Sequence, residues 1–379
     1  MQSSITGNGT THIYYNVSIT NNETTGLLPA PRIDFNETRN QPFINDPSQY
    51  FMSVIRFSLD TSTLPIFACQ PQKNPTVPGD LIYSITMTQG VHTFQQYIHF
   101  LPQTNESPLP AYPLSFSDSI SHYWELYSYQ WWNNLVNNAF VACTAGLNAL
   151  TGGTITAPFN IWDPSGYTAI LNTDAAYFDQ TPGVLATPVY IYFNTPMWVL
   201  YSSYNAEYLG TSAVSGMNYK MVIANQQGQN EWTDTVTGIT WIQSYQEFPT
   251  SPLWNPCQSI VFTTALLPIV PELTAAPVAF EGVPGSFVSY GNNANLTTTL
   301  TDFEVALDKG YEYKPTINYA PQSEYRLTDM FGTSPCSAIN VTIFWKDRYG
   351  VLTPVTLSPG SSCNVKIMFR RKDFNNLYV

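Results

Sequence analysis

Alternation of apolar and polar residues near the carboxyl end is the feature that most constrains how this chain can fold. Ile339, Val341, Ile343 and Trp345 alternate with Asn340, Thr342, Phe344 and Lys346. A period of two residues is typical of a β-strand that buries one face. The loop Asp347-Arg348-Tyr349-Gly350 then predicts a hairpin, with Val351–Leu357 running back antiparallel. In a last strand, Val365, Ile367 and Phe369 alternate with Lys366, Met368 and Arg370.

Short runs of the same kind recur along the chain. Ile55, Phe57 and Leu59 share one face of a run at 51–60, and other runs are Leu81–Thr88, Phe94–Leu101, Val189–Phe193, Trp198–Tyr201, Tyr219–Ile223 and Ser259–Thr263. In the middle of the chain, turn residues separate them at intervals of roughly ten to twenty residues, which favours a sandwich or barrel over alternating strands and helices. We therefore expect an all-β fold.

One long helix interrupts this pattern. At about 120–150, Leu126, Tyr129, Trp132, Val136 and Phe140 fall near helical spacing, and the segment ends at Gly152-Gly153. Ser119 or Ser121 is the predicted cap. Prolines before 114 and at 249–256 predict the limits of a separate region at about 111–255. Residues 1–45 are rich in Asn, Thr and Pro, and they are predicted to form an extended arm.

Charge is distributed very unevenly. Residues 74–308 contain 16 acids and one cation, Lys220, whereas 309–379 contain nine cations and five acids. Such asymmetry concerns partners and surroundings rather than topology. The net charge of −12 argues against a nucleic-acid enzyme, and the low charged fraction of 11% indicates a surface in close contact with neighbours.

The basic residues of the last strand, Lys366, Arg370, Arg371 and Lys372, form a candidate cluster for contact with a partner. They could contact phosphates weakly and without sequence preference, as in charge neutralisation of nucleic acid. They could equally blunt an exposed edge strand. The pattern alone leaves both interpretations open.

Motifs for catalysis are scarce. The four histidines are dispersed, and P-loop, GxSxG and GxGxxG patterns are absent from the sequence, so no catalytic residue, cofactor or metal site is predicted. Carboxylate pairs such as Glu231 with Asp234, or Asp302 with Glu304, leave a glycosidase as a weak alternative. Tyr123-Trp124 and Trp131-Trp132 suggest either a carbohydrate platform or core packing.

Two further features bear on the environment of the chain. The five cysteines, Cys69, Cys143, Cys257, Cys336 and Cys363, are scattered without a CxxC pair, and we expect buried free thiols. No apolar stretch reaches about 18 residues, so no membrane span is predicted.

Three parts of the sequence together resemble a viral protein family. They are Phe51-Met52-Ser53-Val54-Ile55-Arg56-Phe57-Ser58 with Leu64-Pro65-Ile66-Phe67 downstream, then Tyr319–Met330, and finally Ile343–Gly350 leading to Lys366–Lys372. Their order is similar to that in the penton, or minor capsid, proteins of virophages and polinton-like viruses. The likeness covers the two ends of the chain, and the region at about 111–255 does not contribute to it.

The resemblance implies a jelly-roll β-sandwich built from residues 46–110 and 256–379, with 111–255 inserted as an outer, β-rich domain that carries the long helix. It further implies a structural subunit located in the virion, which forms pentamers, contacts major capsid protein neighbours and closes five-fold vertices of an icosahedral shell. It also implies that the basic cluster of the last strand faces the shell interior or a neighbouring subunit, and no catalytic residues follow from it. A receptor- or glycan-binding spike protein is the alternative, with the aromatic middle region as its binding surface.

Overall fold

The computed structural model describes residues 12–22, 32–72, 75–103, 124–210, 215–273, 278–280, 287–289, 296–304, 316–320, 326–348 and 350–372. These residues divide into two compact units. The sandwich unit contains the described residues up to Leu64 and from Cys257 onward. The inserted unit lies within Pro65–Pro256.

Three strands of the sandwich unit precede the insertion: β1 (His12–Thr20), β2 (Asp34–Thr38) and β3 (Tyr50–Asp60). The inserted unit contains β4 (Phe67–Ala68), β5 (Asp80–Gln89), β6 (His92–His99), β7 (Glu125–Leu126), α1 (Tyr129–Thr151), β8 (Phe159–Asp163), β9 (Thr168–Asp174), α2 (Ala175–Phe178), β10 (Tyr190–Phe193), α3 (Thr195–Leu200), β11 (Ala206–Tyr208), β12 (Tyr219–Met221), β13 (Glu231–Thr233) and β14 (Thr240–Tyr245).

The sandwich unit then resumes with β15 (Cys257–Thr263), β16 (Glu272–Leu273), β17 (Val278–Phe280), β18 (Phe287–Ser289), β19 (Leu296–Thr297), β20 (Thr299–Glu304), β21 (Thr316–Tyr319), β22 (Thr328–Asp329), β23 (Ala338–Asp347), β24 (Leu352–Pro354) and β25 (Ser362–Arg371). Gly350, at φ +78°, closes the predicted hairpin between β23 and β24.

Two antiparallel sheets form the sandwich. One has the order β1-β25-β3-β21, with β22 also beside β3, and the other has the order β2-β23-β15-β20, with β24 beside β23. Successive strands β1, β2, β3 and β15 alternate between the sheets, as expected for a jelly roll. The predicted all-β, jelly-roll fold is confirmed.

The apolar faces of both sheets form one core. Phe57 of the first sheet lies 5.0 Å from Phe262 and 4.6 Å from Phe303 of the second, measured between ring centroids. Ile343, Ile367 and their alternating neighbours are fully buried in the same cluster. The alternation in β23 and β25 thus places one residue in two against the opposite sheet.

The prediction of an extended arm at 1–45 is wrong for its described part. β1 pairs with β25 over nine positions, from His12 opposite Arg370 to Thr20 opposite Ser362, and β2 pairs with β23. Tyr15 and Val17 are buried in the core. These strands gain their hydrogen-bond partners from the other end of the chain, which local sequence patterns do not reveal.

The predicted limit at residue 110 is also wrong, because the insertion begins at Pro65. The hairpin of β5 and β6 lies in the segment predicted for the jelly roll, but β5 pairs with β10 of the inserted unit. The sheet order there is β11-β12-β10-β5-β6, and a second sheet has the order β13-β14-β9-β8.

Helix α1 begins later than predicted. Its cap is Ser128, whose hydroxyl accepts a hydrogen bond from the Trp131 N–H at 3.3 Å, whereas Ser119 and Ser121 lie outside the described residues. Gly152, at φ +67°, ends the helix as expected. Trp198 lies in helix α3 rather than in a strand, because the Asn194 side chain caps that helix and Pro196 suits its first turn.

Candidate assembly surface

Strand β25 turns two of its cations away from the core. Val365, Ile367 and Phe369 point inward, so the intervening Lys366 and Arg370 lie on the outer face of the first sheet. The two Cα positions are about 13 Å apart, at 3.3 Å per residue. The sequence alternation therefore predicts their orientation correctly.

A third cation joins them through strand pairing. Arg56 of β3 is exposed and lies directly opposite Lys366 in the register, at the point where a bulge interrupts the pairing of β3 with β25. On the other flank, the Lys366 ammonium lies 5.0 Å from the ring centre of Tyr14 in β1. We call Tyr14, Arg56, Lys366 and Arg370 the basic sheet face. Arg56 was missed, because only the register of distant strands brings it there.

The other two predicted members lie elsewhere. Arg371 is buried on the core-facing side of β25, and its guanidinium donates to Gln49 Oε1 at 3.5 Å. Lys372 donates to Asp329 Oδ1 at 2.8 Å and to the Met330 carbonyl at 3.3 Å. Since β25 lies between β1 and β3, its cations do not blunt an edge strand.

The inserted unit has the opposite charge. Among its described residues Lys220 is the one Lys or Arg, against nine Asp and Glu. The Lys220 ammonium lies 3.8 Å from Glu207 Oε2 and 4.3 Å from the ring centre of Tyr190. This cation is therefore engaged within the unit.

Three of the four carboxylates considered for glycoside hydrolysis have structural partners. Asp234 accepts hydrogen bonds from the Val236 N–H at 2.9 Å and the Thr237 hydroxyl at 2.6 Å, and these bonds lower the pKa of its carboxyl group. A general acid would need a raised pKa. Glu231 accepts from the Asn225 amide at 2.5 Å, and Asp302 pairs with Arg326.

The aromatic pairs belong largely to the core of the inserted unit. Trp124 and Trp132 are fully buried, and Trp132 packs 4.8 Å from Phe67 between ring centroids. Tyr123 lies outside the described residues. The exposed edge of Trp131 is tied to the chain, since its indole N–H donates to the Leu101 carbonyl at 2.9 Å.

All five cysteines are buried free thiols, as predicted. Burial raises the pKa of the Cys143 and Cys363 thiols to about 12. In the part of the chain that the structure describes, no group of His, Cys, Asp and Glu could hold a metal ion. None of the described helices is long and apolar enough to cross a membrane.

Comparison with known proteins identifies the relatives of this chain. A family model described as Sputnik minor capsid protein V18/19 matches residues 13–371. Structural protein V19 of Sputnik virophage is 28% identical over 213 residues, which cover 55% of this chain and 92% of that protein. Uncharacterized protein V18 of the same virophage is 29% identical over 140 residues, which cover 35% of this chain and 81% of that protein.

Two solved structures are similar over nearly the whole chain. A chain of the Sputnik virophage structure, determined by cryo-EM at 3.5 Å, has a TM-score of 0.81 and 26% identity, covering 97% of this chain and 99% of that one. The mavirus penton protein has a TM-score of 0.63 and 16% identity, covering 95% of this chain and 99% of that one. At 16% identity the second likeness shows the fold alone.

The family match extends through the middle of the chain, which the resemblance of the two ends did not include. The spike interpretation is not favoured, because both units together correspond to a chain of an assembled virion. The chain belongs to the Sputnik minor capsid protein V18/19 family and is a structural capsid protein of a virion.

Proposed function

We propose that this chain is a penton subunit and that five copies close each five-fold vertex of an icosahedral shell. The observation that carries the proposal is coverage: the likeness to a Sputnik virion chain and to the mavirus penton protein includes both units. Such a role is geometric, because a closed ring requires one repeated interface and no catalytic step.

The sandwich unit offers an apolar surface for contact between copies. Val270 and Phe331 are each 51% exposed, and Leu266 is 45% exposed. The Val270 N–H donates to the Asp329 carbonyl at 3.3 Å, and the Phe331 N–H donates to the Pro268 carbonyl at 2.9 Å, which holds the two segments side by side. An aromatic and aliphatic centre is typical of subunit interfaces. We assign Leu266, Val270 and Phe331 to the contact between neighbouring copies.

Native mass spectrometry tests this contact. The wild-type protein is expected at five times the chain mass of 42.4 kDa. Phe331→Glu places a charge in the contact and should give monomers. Val236→Glu is the matched control, because Val236 is 91% exposed on a turn of the inserted unit. A wild-type protein that stays monomeric at every concentration, or a Phe331→Glu pentamer, would contradict the assignment.

Imaging tests the position in the shell. Co-expression with the major capsid protein should yield particles with density for this chain on the five-fold axes, in contact with the neighbouring major capsid proteins. Density on the outside of other capsomers, with empty vertices, would instead identify an appendage.

We also propose that the basic sheet face points toward the shell interior or a neighbouring subunit, and that the acidic inserted unit points outward. The contrast between the three cations of the basic sheet face and the described inserted unit, which has one cation and nine carboxylates, supports this orientation. Density that places Arg370 on the outer surface of a particle would overturn it.

A weak, sequence-independent contact of this face with nucleic acid is part of the proposal. Three cations that neutralise three phosphates predict a loss of affinity of about 40-fold between 50 and 200 mM salt. Fluorescence anisotropy with duplexes of two unrelated sequences measures it. The triple variant Arg56→Gln, Lys366→Gln, Arg370→Gln should remove the salt-dependent binding, and Lys220→Gln should not. Equal binding by both variants would exclude this face as the contact.

A further inference from the structure

We propose that the inserted unit contains a binding site for a neutral carbohydrate, a function beyond the structural role proposed above. The site is a cavity of about 380 Å³ on one face of the sheet that contains β5 and β6. Its lining includes Gln95 and Tyr97 of β6, Thr195 of α3, and Ser215 and Asn218 before β12. All of these side chains are uncharged.

Strand alternation forms the floor of the cavity. A Cβ atom at Gly146 of α1 would meet the Phe94 ring, so Phe94 faces the helix and the adjacent Gln95 lies on the opposite face of the sheet. Beneath the lining, the Gln95 amide donates to Ser84 Oγ at 2.9 Å, and Ser84 is fully buried. The floor is therefore formed by edge strand β6, with Gln95 held against the neighbouring strand β5.

The walls are held in place by side-chain amides. Asn194 donates to the Ile82 carbonyl at 2.7 Å and accepts from the Ser84 and Met197 N–H groups, both at 3.1 Å. These bonds fix the start of α3 against β5. Opposite it, the Asn218 amide donates to the Gly210 carbonyl at 3.2 Å.

Gly216 allows the second wall to approach the floor closely. Its φ is +86°, and a Cβ atom there would lie within 3.0 Å of the Gln95 amide and the Thr86 hydroxyl. Instead, the Gly216 carbonyl accepts from the Thr86 hydroxyl at 3.2 Å. A glycine is therefore required at this position.

The polar groups of the cavity that make no hydrogen bond to the protein indicate the class of ligand. Within the described residues, the hydroxyls of Tyr97, Thr195 and Ser215 and the side-chain oxygens Gln95 Oε1 and Asn218 Oδ1 make no hydrogen bond to the protein. Neutral donors and acceptors around an aromatic ring match the hydroxyls and C–H groups of a sugar.

Charge and size further narrow the class of ligand. An acidic sugar would need a cation, and the one Lys or Arg of the described inserted unit, Lys220, is engaged with Glu207. The volume suits a small ligand, since binding pockets usually have roughly 300–1,000 Å³. A neutral hexose, alone or at the end of a glycan, is the class that fits. For a ligand of about 12 non-hydrogen atoms we expect roughly millimolar affinity.

Saturation-transfer NMR tests the proposal on the full chain. The probes are the methyl pyranosides of glucose, galactose, mannose and N-acetylglucosamine, with sialyllactose as an anionic comparison. We expect saturation of at least one neutral hexoside. Thr195→Arg fills the mouth of the cavity from an exposed position and should weaken that binding by about tenfold or more. Val199→Arg is the matched control, because Val199 lies on the same helix, is 48% exposed and does not line the cavity.

Hexoside binding by the two variants supports or refutes the proposed site. Binding that is lost in Thr195→Arg and kept in Val199→Arg supports the site. Absence of binding by all four hexosides, binding of sialyllactose alone, or binding that survives Thr195→Arg would overturn it. If Thr195→Arg does not give the wild-type circular dichroism spectrum, Ser215→Arg replaces it, because Ser215 is exposed on the opposite wall.

Discussion

Gly146 offers a sharp test of how the inserted unit is packed, because its sequence context predicts the wrong sign for substitution. It lies in the interior of α1 with an ordinary helical backbone, where replacing glycine by alanine usually stabilises by about 1 kcal/mol. In this protein a Cβ atom would lie less than 3.0 Å from three atoms of the Phe94 ring. Carbon atoms pack best at about 3.5–4.0 Å, so the ring must move by about 1 Å.

The expected magnitude follows from these two opposing effects. Overpacking of this kind costs about 1–3 kcal/mol, which offsets the helix gain and leaves Gly146→Ala destabilised by up to about 2 kcal/mol. In a Phe94→Ala background the aromatic ring is absent, so Gly146→Ala should raise the free energy of unfolding by about 1 kcal/mol. The coupling energy between the two positions is therefore about 2 kcal/mol.

Denaturant unfolding followed by tryptophan fluorescence measures these energies. Eight of the nine tryptophans lie within 65–256, so the signal reports mainly on the inserted unit. All four proteins of the double-mutant cycle are compared at equal concentration. Stabilisation by Gly146→Ala in the wild-type background, or an equal effect in both backgrounds, would refute the packing argument.

Three other predictions concern single side chains. Asn340→Leu should lower the free energy of unfolding by about 2–3 kcal/mol in denaturation experiments, because Asn340 Oδ1 accepts three hydrogen bonds from the turn after β15, from the Thr264 hydroxyl and two backbone N–H groups. An effect below 0.5 kcal/mol, the size usual at surface positions, would contradict this. Lys220→Met should cost about 1 kcal/mol, more in low salt than in high salt, because it removes a partly screened ion pair and a cation–π contact. A salt-independent effect would assign the loss to packing alone. At pH 8 the thiols of the folded protein, including Cys363 with its pKa raised to about 12, should react with a disulfide reagent only at the rate of unfolding. Rapid labelling of any cysteine in the native state would disprove that burial.

The inward and outward faces of the main strands could be predicted from sequence, because side-chain period is a local property. β23 and β25 show it directly, and Lys366 and Arg370 lie on the outer face as predicted. In β3 the predicted face is wrong for Ile55, because a bulge shifts the alternation and buries Met52 and Val54 in the core instead. The end of α1 at Gly152 is likewise local, since a left-handed residue is needed there. The sequence pattern predicts a strand at α3, because Trp198 and Val199 prefer strands. The cap at Asn194 stabilises the helix instead.

What the sequence determined by itself is therefore the all-β character, the faces of its clearest strands and the segregation of charge. Only the tertiary structure decided which strands are neighbours. Pairing of β1 with β25 joins segments more than 340 residues apart, and pairing of β5 with β10 puts the β5–β6 hairpin in the inserted unit. Strand pairing depends on the total apolar area buried and on the register between segments that are distant in sequence. The basic sheet face and the cavity beside β6 depend on this pairing, because their residues come from strands and loops far apart in the chain.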